Sequence, residues 1–144
     1  MKKTIILFSI LLIMTVFTSC DTTSKAVASK ESLTSSRWEL SSIGGKSATA
    51  ADYPKGLPDA IFTADNKISG NGGCNRFGGS YTLDAEGKLV ISQLMSTKMF
   101  CQGVDEDSYI KALTRANRAK IEGKNLVLYY ENEKVLVFAS KKLE

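Results

Sequence analysis

The sequence predicts a mainly β domain of the α+β class, antiparallel hairpins with one amphipathic helix. Three observations carry this. From Leu33 onward the apolar residues recur mostly at period two, in short runs bounded by Gly, Asn and Asp. Three pairs of such runs are joined by links of three or four turn-forming residues, the spacing of hairpins. Only residues 104–118 break into helical spacing.

The elements follow in order. Trp38 and Leu40, two apart in the run 37–40, point to one side of a first strand and into the core. Residues 44–58 hold both prolines and three alanines without a sustained period and read as a loop or a short irregular stretch. Runs 60–63 and 67–70 flank Ala64, Asp65 and Asn66. Runs 77–83 and 88–94 flank a link that begins with Asp84 and ends with Gly87, and Tyr81, Leu83, Leu89 and Ile91 alternate with polar neighbours. Runs 125–130 and 134–139 flank Glu131, Asn132 and Glu133. In the helix, Tyr109, Ile110, Leu113, Ala116 and Asn117 form a stripe. Asp105, Glu106 and Asp107 fall in its first turn and Arg115, Arg118 and Lys120 at its end, as the helix dipole favours. A helix packed on the sheet is the expected use of that stripe, ahead of a membrane or partner helix.

At 144 residues, with 43% hydrophobic and 24% charged, the chain has room and apolar material for one packed domain plus an appendage. The appendage is N-terminal. Met1, Lys2 and Lys3 precede an apolar stretch, 4–17, that is shorter than the roughly 20 residues of a bilayer span. Small residues Thr18 and Ser19 then lead to Cys20. That order resembles the lipobox of bacterial lipoproteins, in which the cysteine thiol accepts a diacylglyceryl group and becomes the new N-terminus. Residues 1–19 are thus expected to be a lipoprotein signal peptide, with lipidation at Cys20; a plain secretory signal followed by a free Cys20 is the alternative. Residues 20–32 are polar and small, and are expected to form a flexible tether reaching about 20 Å. Residues 33–144 form the domain.

Charge and composition exclude several functions. Without Lys2 and Lys3 the formal charge of +4 falls to 17 basic against 15 acidic residues, and no basic patch interleaved with aromatics appears, so no nucleic acid partner is expected. The chain has no histidine. Ser-His-Asp and Cys-His nucleophiles and the H-E-x-x-H zinc site therefore drop out. The glycine-rich run 69–79 fails as a phosphate loop, since Asn75 stands where G-x-G-x-x-G needs glycine and no Gly-Lys-Ser/Thr follows. Its glycines fit a turn, a bulge or a tightly bent strand better. No S-x-x-K set accompanies the Ser96, Thr97, Lys98 run, and the carboxylates are scattered, so no catalytic residues, cofactor or metal are assigned.

Once Cys20 is lipidated, Cys74 and Cys101 remain as an even pair in an exported, oxidising context, which reads as a disulfide, with two buried free thiols as the alternative. A bridge across 27 positions stabilises by about 3.5 kcal/mol through the entropy of the unfolded chain.

The run from Gly70 through Cys74, Asn75, Arg76, Phe77, Gly78, Gly79 and Ser80 to Tyr81, followed by Met95, Ser96, Thr97, Lys98, Met99, Phe100 and Cys101, resembles the paired signatures of the META domain, the family of HslJ-like bacterial heat-shock proteins. Trp38, Glu39 and Leu40 stand before these motifs and 124–128 after them, so the resemblance spans nearly all of 33–139. It implies a small, strongly bent antiparallel β-barrel or half-barrel with the helix packed on or across it, and pairing of Cys74 with Cys101. It also implies structural roles for Gly70, Gly73, Asn75, Phe77, Gly79, Tyr81, Thr97 and Met99. Members are often exported lipoproteins linked loosely to envelope stress, antibiotic resistance, motility and secretion, without an established catalytic activity. The expected function is that of a non-catalytic, lipid-anchored protein of the bacterial cell envelope, a binding or stress-protective module whose partners are the membrane, through the anchor, and an envelope protein. The alternative, by analogy with lipid-binding secretion pilotins, is a carrier that holds a lipophilic, acyl-chain ligand inside the barrel.

Overall fold

The computed structural model describes residues 25–143. In chain order the elements are β1 (Lys25–Val27), α1 (Lys30–Thr34), β2 (Arg37–Ile43), β3 (Lys46–Ser47), β4 (Asp59–Phe62), β5 (Lys67–Asn71), β6 (Arg76–Leu83), β7 (Leu89–Ser96), α2 (Glu106–Arg115), β8 (Arg118–Glu122), β9 (Asn125–Tyr130) and β10 (Glu133–Lys141). Strand pairing is antiparallel throughout, in the order β1-β8-β9-β10-β2-β4-β5-β6-β7, with β3 on β2.

The three hairpins form where their periods place them. In β6 and β7, Tyr81 lies opposite Ile91 and Leu83 opposite Leu89, so the alternating apolar residues share one face. The core gathers on that face. Trp38, Leu40, Phe62, Ile68, Phe77 and Phe138 from the strands meet Tyr109 and Leu113 from α2 in a single buried cluster. The Tyr109 ring sits 6.1 Å from Phe77 and 6.3 Å from Phe138, centroid to centroid, which docks the helix against both halves of the sheet.

The structure departs from the sequence reading in the closure of the sheet, the end of the helix and the tether. The sheet is open rather than a closed barrel. Its end strands, β1 and β7, do not pair, and near the start of β7 only an isolated bridge, Lys88 to Arg118, reaches across to β8.

The helix ends at Arg115, not Arg118. Ala116 is already extended (φ −58°, ψ 133°). The Asn117 N–H donates to the Tyr129 carbonyl (2.8 Å), and its carbonyl accepts from the Leu89 N–H (3.1 Å). Sheet hydrogen bonds therefore override the helical period, and β8 takes up residues that had read as the helix end.

The stretch expected as a tether is structured over its described part. Lys25, Ala26 and Val27 pair with Glu122, Ile121 and Lys120, and Ala28 and Leu33 are buried. Here the small polar residues act as caps: Ser29 caps α1 and exchanges hydrogen bonds with Ser32. Cys20 and the expected signal peptide lie outside the described residues.

The loop 44–58 is irregular apart from β3, but its Tyr53 is buried.

Candidate functional site

The two motifs come together at the β6–β7 end of the sheet, beneath the start of α2. β6 carries Phe77, Gly79 and Tyr81 from the first motif, and the second leaves the end of β7 through Thr97 and Met99. Between β5 and β6 the chain must reverse tightly. The Gly72 N–H donates to the Asn75 carbonyl (2.8 Å), the Gly73 N–H donates to Asn71 Oδ1 (2.6 Å), and Gly73 takes φ +98°. A side chain at Gly73 would also run into the Tyr53 ring. At Gly70 the demand is space: a Cβ would meet the Asp59 carbonyl and the Phe77 ring.

Asn75 follows that turn and is buried. Its Nδ2 donates to Glu106 Oε2 (2.6 Å) and to the Met99 carbonyl (3.1 Å); its Oδ1 accepts from Thr97 Oγ1 (2.9 Å) and the Met99 N–H (2.6 Å). All four hydrogen-bonding positions of the amide are used. Its backbone N–H donates to Glu106 Oε1 (2.7 Å), so both carboxylate oxygens of Glu106 are engaged as well. One buried amide thus fixes the 97–99 loop and the first turn of α2 together.

Beside it, Cys74 and Cys101 form a disulfide with their Cα atoms 5.9 Å apart, within the roughly 4.4–6.8 Å that bridging requires. Lys55 Nζ lies 3.4 Å from Cys101 Sγ. Asp105 caps α2 by accepting from the Ser108 N–H (3.1 Å), and the Ser108 side chain and backbone together hold its carboxyl below the usual range. Beneath the helix, the Tyr109 hydroxyl donates to the Asp59 carbonyl (3.0 Å). Burial, with Asp59 and Tyr53 nearby, pushes its pKa well above the ordinary value. Tyr81, also buried, donates to the Thr63 carbonyl (2.9 Å) and packs edge-on against Phe62. Gly79 lies where a Cβ would come within 2.8 Å of the Ser92 carbonyl.

Most of the residues given structural roles therefore turn inward, while Thr97 and Met99 are exposed. Met99 is fixed through its backbone while its side chain is half exposed, and the next residue, Phe100, is 91% exposed. These two, with Val104, Asp105 and Asp107, border an open groove of about 200 Å³ beside the disulfide. The sequence reading named neither Phe100 nor Glu106 as a site residue. Glu106 had appeared only as a first-turn charge, because its contact with Asn75 spans 31 positions. Among the described residues no group of three His, Cys, Asp or Glu could hold a metal ion.

Comparison with solved structures agrees on the fold. A protein from Burkholderia xenovorans solved by NMR is 27% identical, with a TM-score of 0.62, over 82% of this chain and 94% of its own. A second NMR structure is 26% identical, with a TM-score of 0.63, over 78% of this chain and 95% of its own. A DUF4847 family protein from Bacteroides vulgatus shares the fold at 19% identity and a TM-score of 0.56, over 80% of this chain and 99% of its own. No curated protein matches the chain. The family model of the META domain matches residues 31–143, nearly all of the described structure. The chain belongs to the META domain family.

Proposed function

We propose that this chain is a non-catalytic protein of the bacterial cell envelope, carried on a lipid anchor at Cys20 and acting as a binding or stress-protective module, of which the binding role is the better supported. The observation that carries the reading is the closure of the polar cluster at the motifs. Every hydrogen-bonding position of the Asn75 side chain and both oxygens of Glu106 are spent inside the protein. Catalysis needs polar groups aimed at a reacting atom, and this cluster aims its groups at the fold. Among the side chains exposed beside it are two large apolar ones, Met99 and Phe100, on a loop held from below and bridged by a disulfide. An exposed aromatic on a fixed backbone is suited to contact.

The carrier alternative requires an empty interior. Large side chains fill that space, with Leu40, Phe62, Tyr81, Leu113 and Phe138 each almost wholly buried in one cluster. No specific observation favours a ligand there.

Two measurements test the proposal. Metabolic labelling with a fatty-acid analogue is expected to mark the wild type and to fail on Cys20→Ala, which leaves the membrane fraction; label retained in the variant rejects the anchor. The purified protein is expected to turn over no member of an ester, peptide and glycan panel, and a turnover lost on a single side-chain change rejects the non-catalytic reading.

A further inference from the structure

We infer that the groove beside the disulfide is a docking site for a protein segment that carries an apolar anchor residue flanked by lysine or arginine. This rests on the binding-module reading and names the partner's chemistry.

Phe100 is the most exposed large apolar side chain among the described residues, and Met99 beside it is 55% exposed. Exposed apolar side chains usually sit on mobile loops, where ordering them on binding is costly. This one does not. Met99 is held on both its N–H and its carbonyl by Asn75, and Cys101 is held by the bridge to Cys74, so Phe100 is fastened on either side. The tip is ordered before any partner arrives, as the anchors that dominate binding energy tend to be.

Charge decides the occupant. The ionisable groups that line the groove are all acidic, Asp105, Glu106 and Asp107. Glu106 is turned inward to Asn75, which leaves the exposed carboxylates of Asp105 and Asp107 facing outward. Asp105 also caps the helix and stays ionised. A bilayer rich in anionic headgroups would meet those two carboxylates as it received Phe100, an arrangement that repels. Lys98 and Lys55 flank the tip without lining the groove. A segment whose apolar side chain packs against Phe100 and Met99, with a cationic side chain on either Asp, satisfies both features at once.

The test is selection of random dodecapeptides displayed on phage against the full chain in detergent micelles. Enriched peptides are expected to share an apolar residue with Lys or Arg within two or three positions. Their synthetic forms are expected to bind more weakly as salt rises. They should lose at least tenfold in affinity on Phe100→Ser and on Asp107→Lys, and bind Val90→Ser, altered at an exposed apolar residue outside the groove, as they bind wild type. Peptides without basic residues overturn the inference, as does equal binding to Phe100→Ser; the latter leaves a binding module that uses another surface. Failure to enrich any peptide, Phe100-dependent flotation with vesicles of phosphatidylglycerol, or Phe100-dependent dimerisation also overturns it. Failure of the binding-module reading itself is read separately, as substrate turnover in the enzyme panel.

Discussion

Asn75 and Glu106, 31 positions apart, clasp each other through two hydrogen bonds: the Asn75 side-chain amide to one carboxylate oxygen and the Asn75 backbone N–H to the other. A strand start and a helix start are thereby locked as one unit. Asn75→Ala removes the partner of Glu106 Oε2 and those of the Met99 N–H and Thr97 hydroxyl. Each buried group left unpaired costs about 1–3 kcal/mol, so the urea midpoint is expected to fall steeply. A double-mutant cycle with Glu106→Ala should show coupling of about 0.5–3 kcal/mol. Additive single effects would mean that the clasp is not what joins the two elements.

Reduction of the Cys74–Cys101 bridge, or Cys74→Ser, is expected to lower stability by about 2–5 kcal/mol and to free the 97–105 segment. Trypsin is then expected to cut after Lys98 faster than in the bridged protein. An unchanged denaturation midpoint together with unchanged proteolysis would contradict this.

Two neighbouring glycines should respond oppositely to alanine. At Gly70 a Cβ would drive into the Asp59 carbonyl and the Phe77 ring, and overpacking of this kind costs about 1–3 kcal/mol. At Gly78 the nearest atom outside its immediate chain neighbours is the Ile68 carbonyl oxygen at 3.9 Å. Gly78→Ala is therefore expected to be neutral or to stabilise by up to about 1 kcal/mol, through the unfolded chain. Thermal melts of the two variants side by side settle the matter.

Acid should weaken the far edge of the sheet. Glu122 is buried on β8 and accepts hydrogen bonds from Lys134 (2.7 Å) and from the Tyr129 hydroxyl, which together hold its carboxyl below the ordinary value. Because the folded-state pKa is depressed, the stabilisation is present above the unfolded value of about 4.3 and is lost as pH falls through the folded value. Urea midpoints of the wild type should decline on acidification through that range, and those of Glu122→Gln should decline less. Parallel curves would remove Glu122 from the account.

What the sequence revealed was what its neighbours encode. Leu83 and Leu89 face each other across five residues, 84–88, and a period-two pattern with Asp and Gly between them is visible locally. β8 was missed because its five residues follow a helix with a matching charge pattern, and only hydrogen bonds to Leu89 and Tyr129, far along the chain, pull residues 116–118 out of helical geometry. β1 and α1 were missed because Ser29 pairs with a serine, where a glutamate at that position would have signalled a cap. At the site, the resemblance marked Asn75, Thr97 and Met99, which do converge. Glu106 and Phe100 stayed hidden because a contact across 31 residues, and exposure itself, leave no periodic trace.

The position of β10 bears on how the protein is made. This strand, the last among the described residues, lies in the middle of the sheet, between β9 and β2, where Lys141 meets Arg37. Until it arrives, the two blocks, β1 with β8 and β9, and β2 through β7, are linked among the described strands by no more than the Lys88–Arg118 bridge. The sheet can therefore be completed only after residues 133–141 have been synthesised. Joining ends about a hundred residues apart is entropically slow. A nascent chain that stalls short of β10 remains two weakly joined halves with open strand edges, the form that chaperones hold and proteases remove.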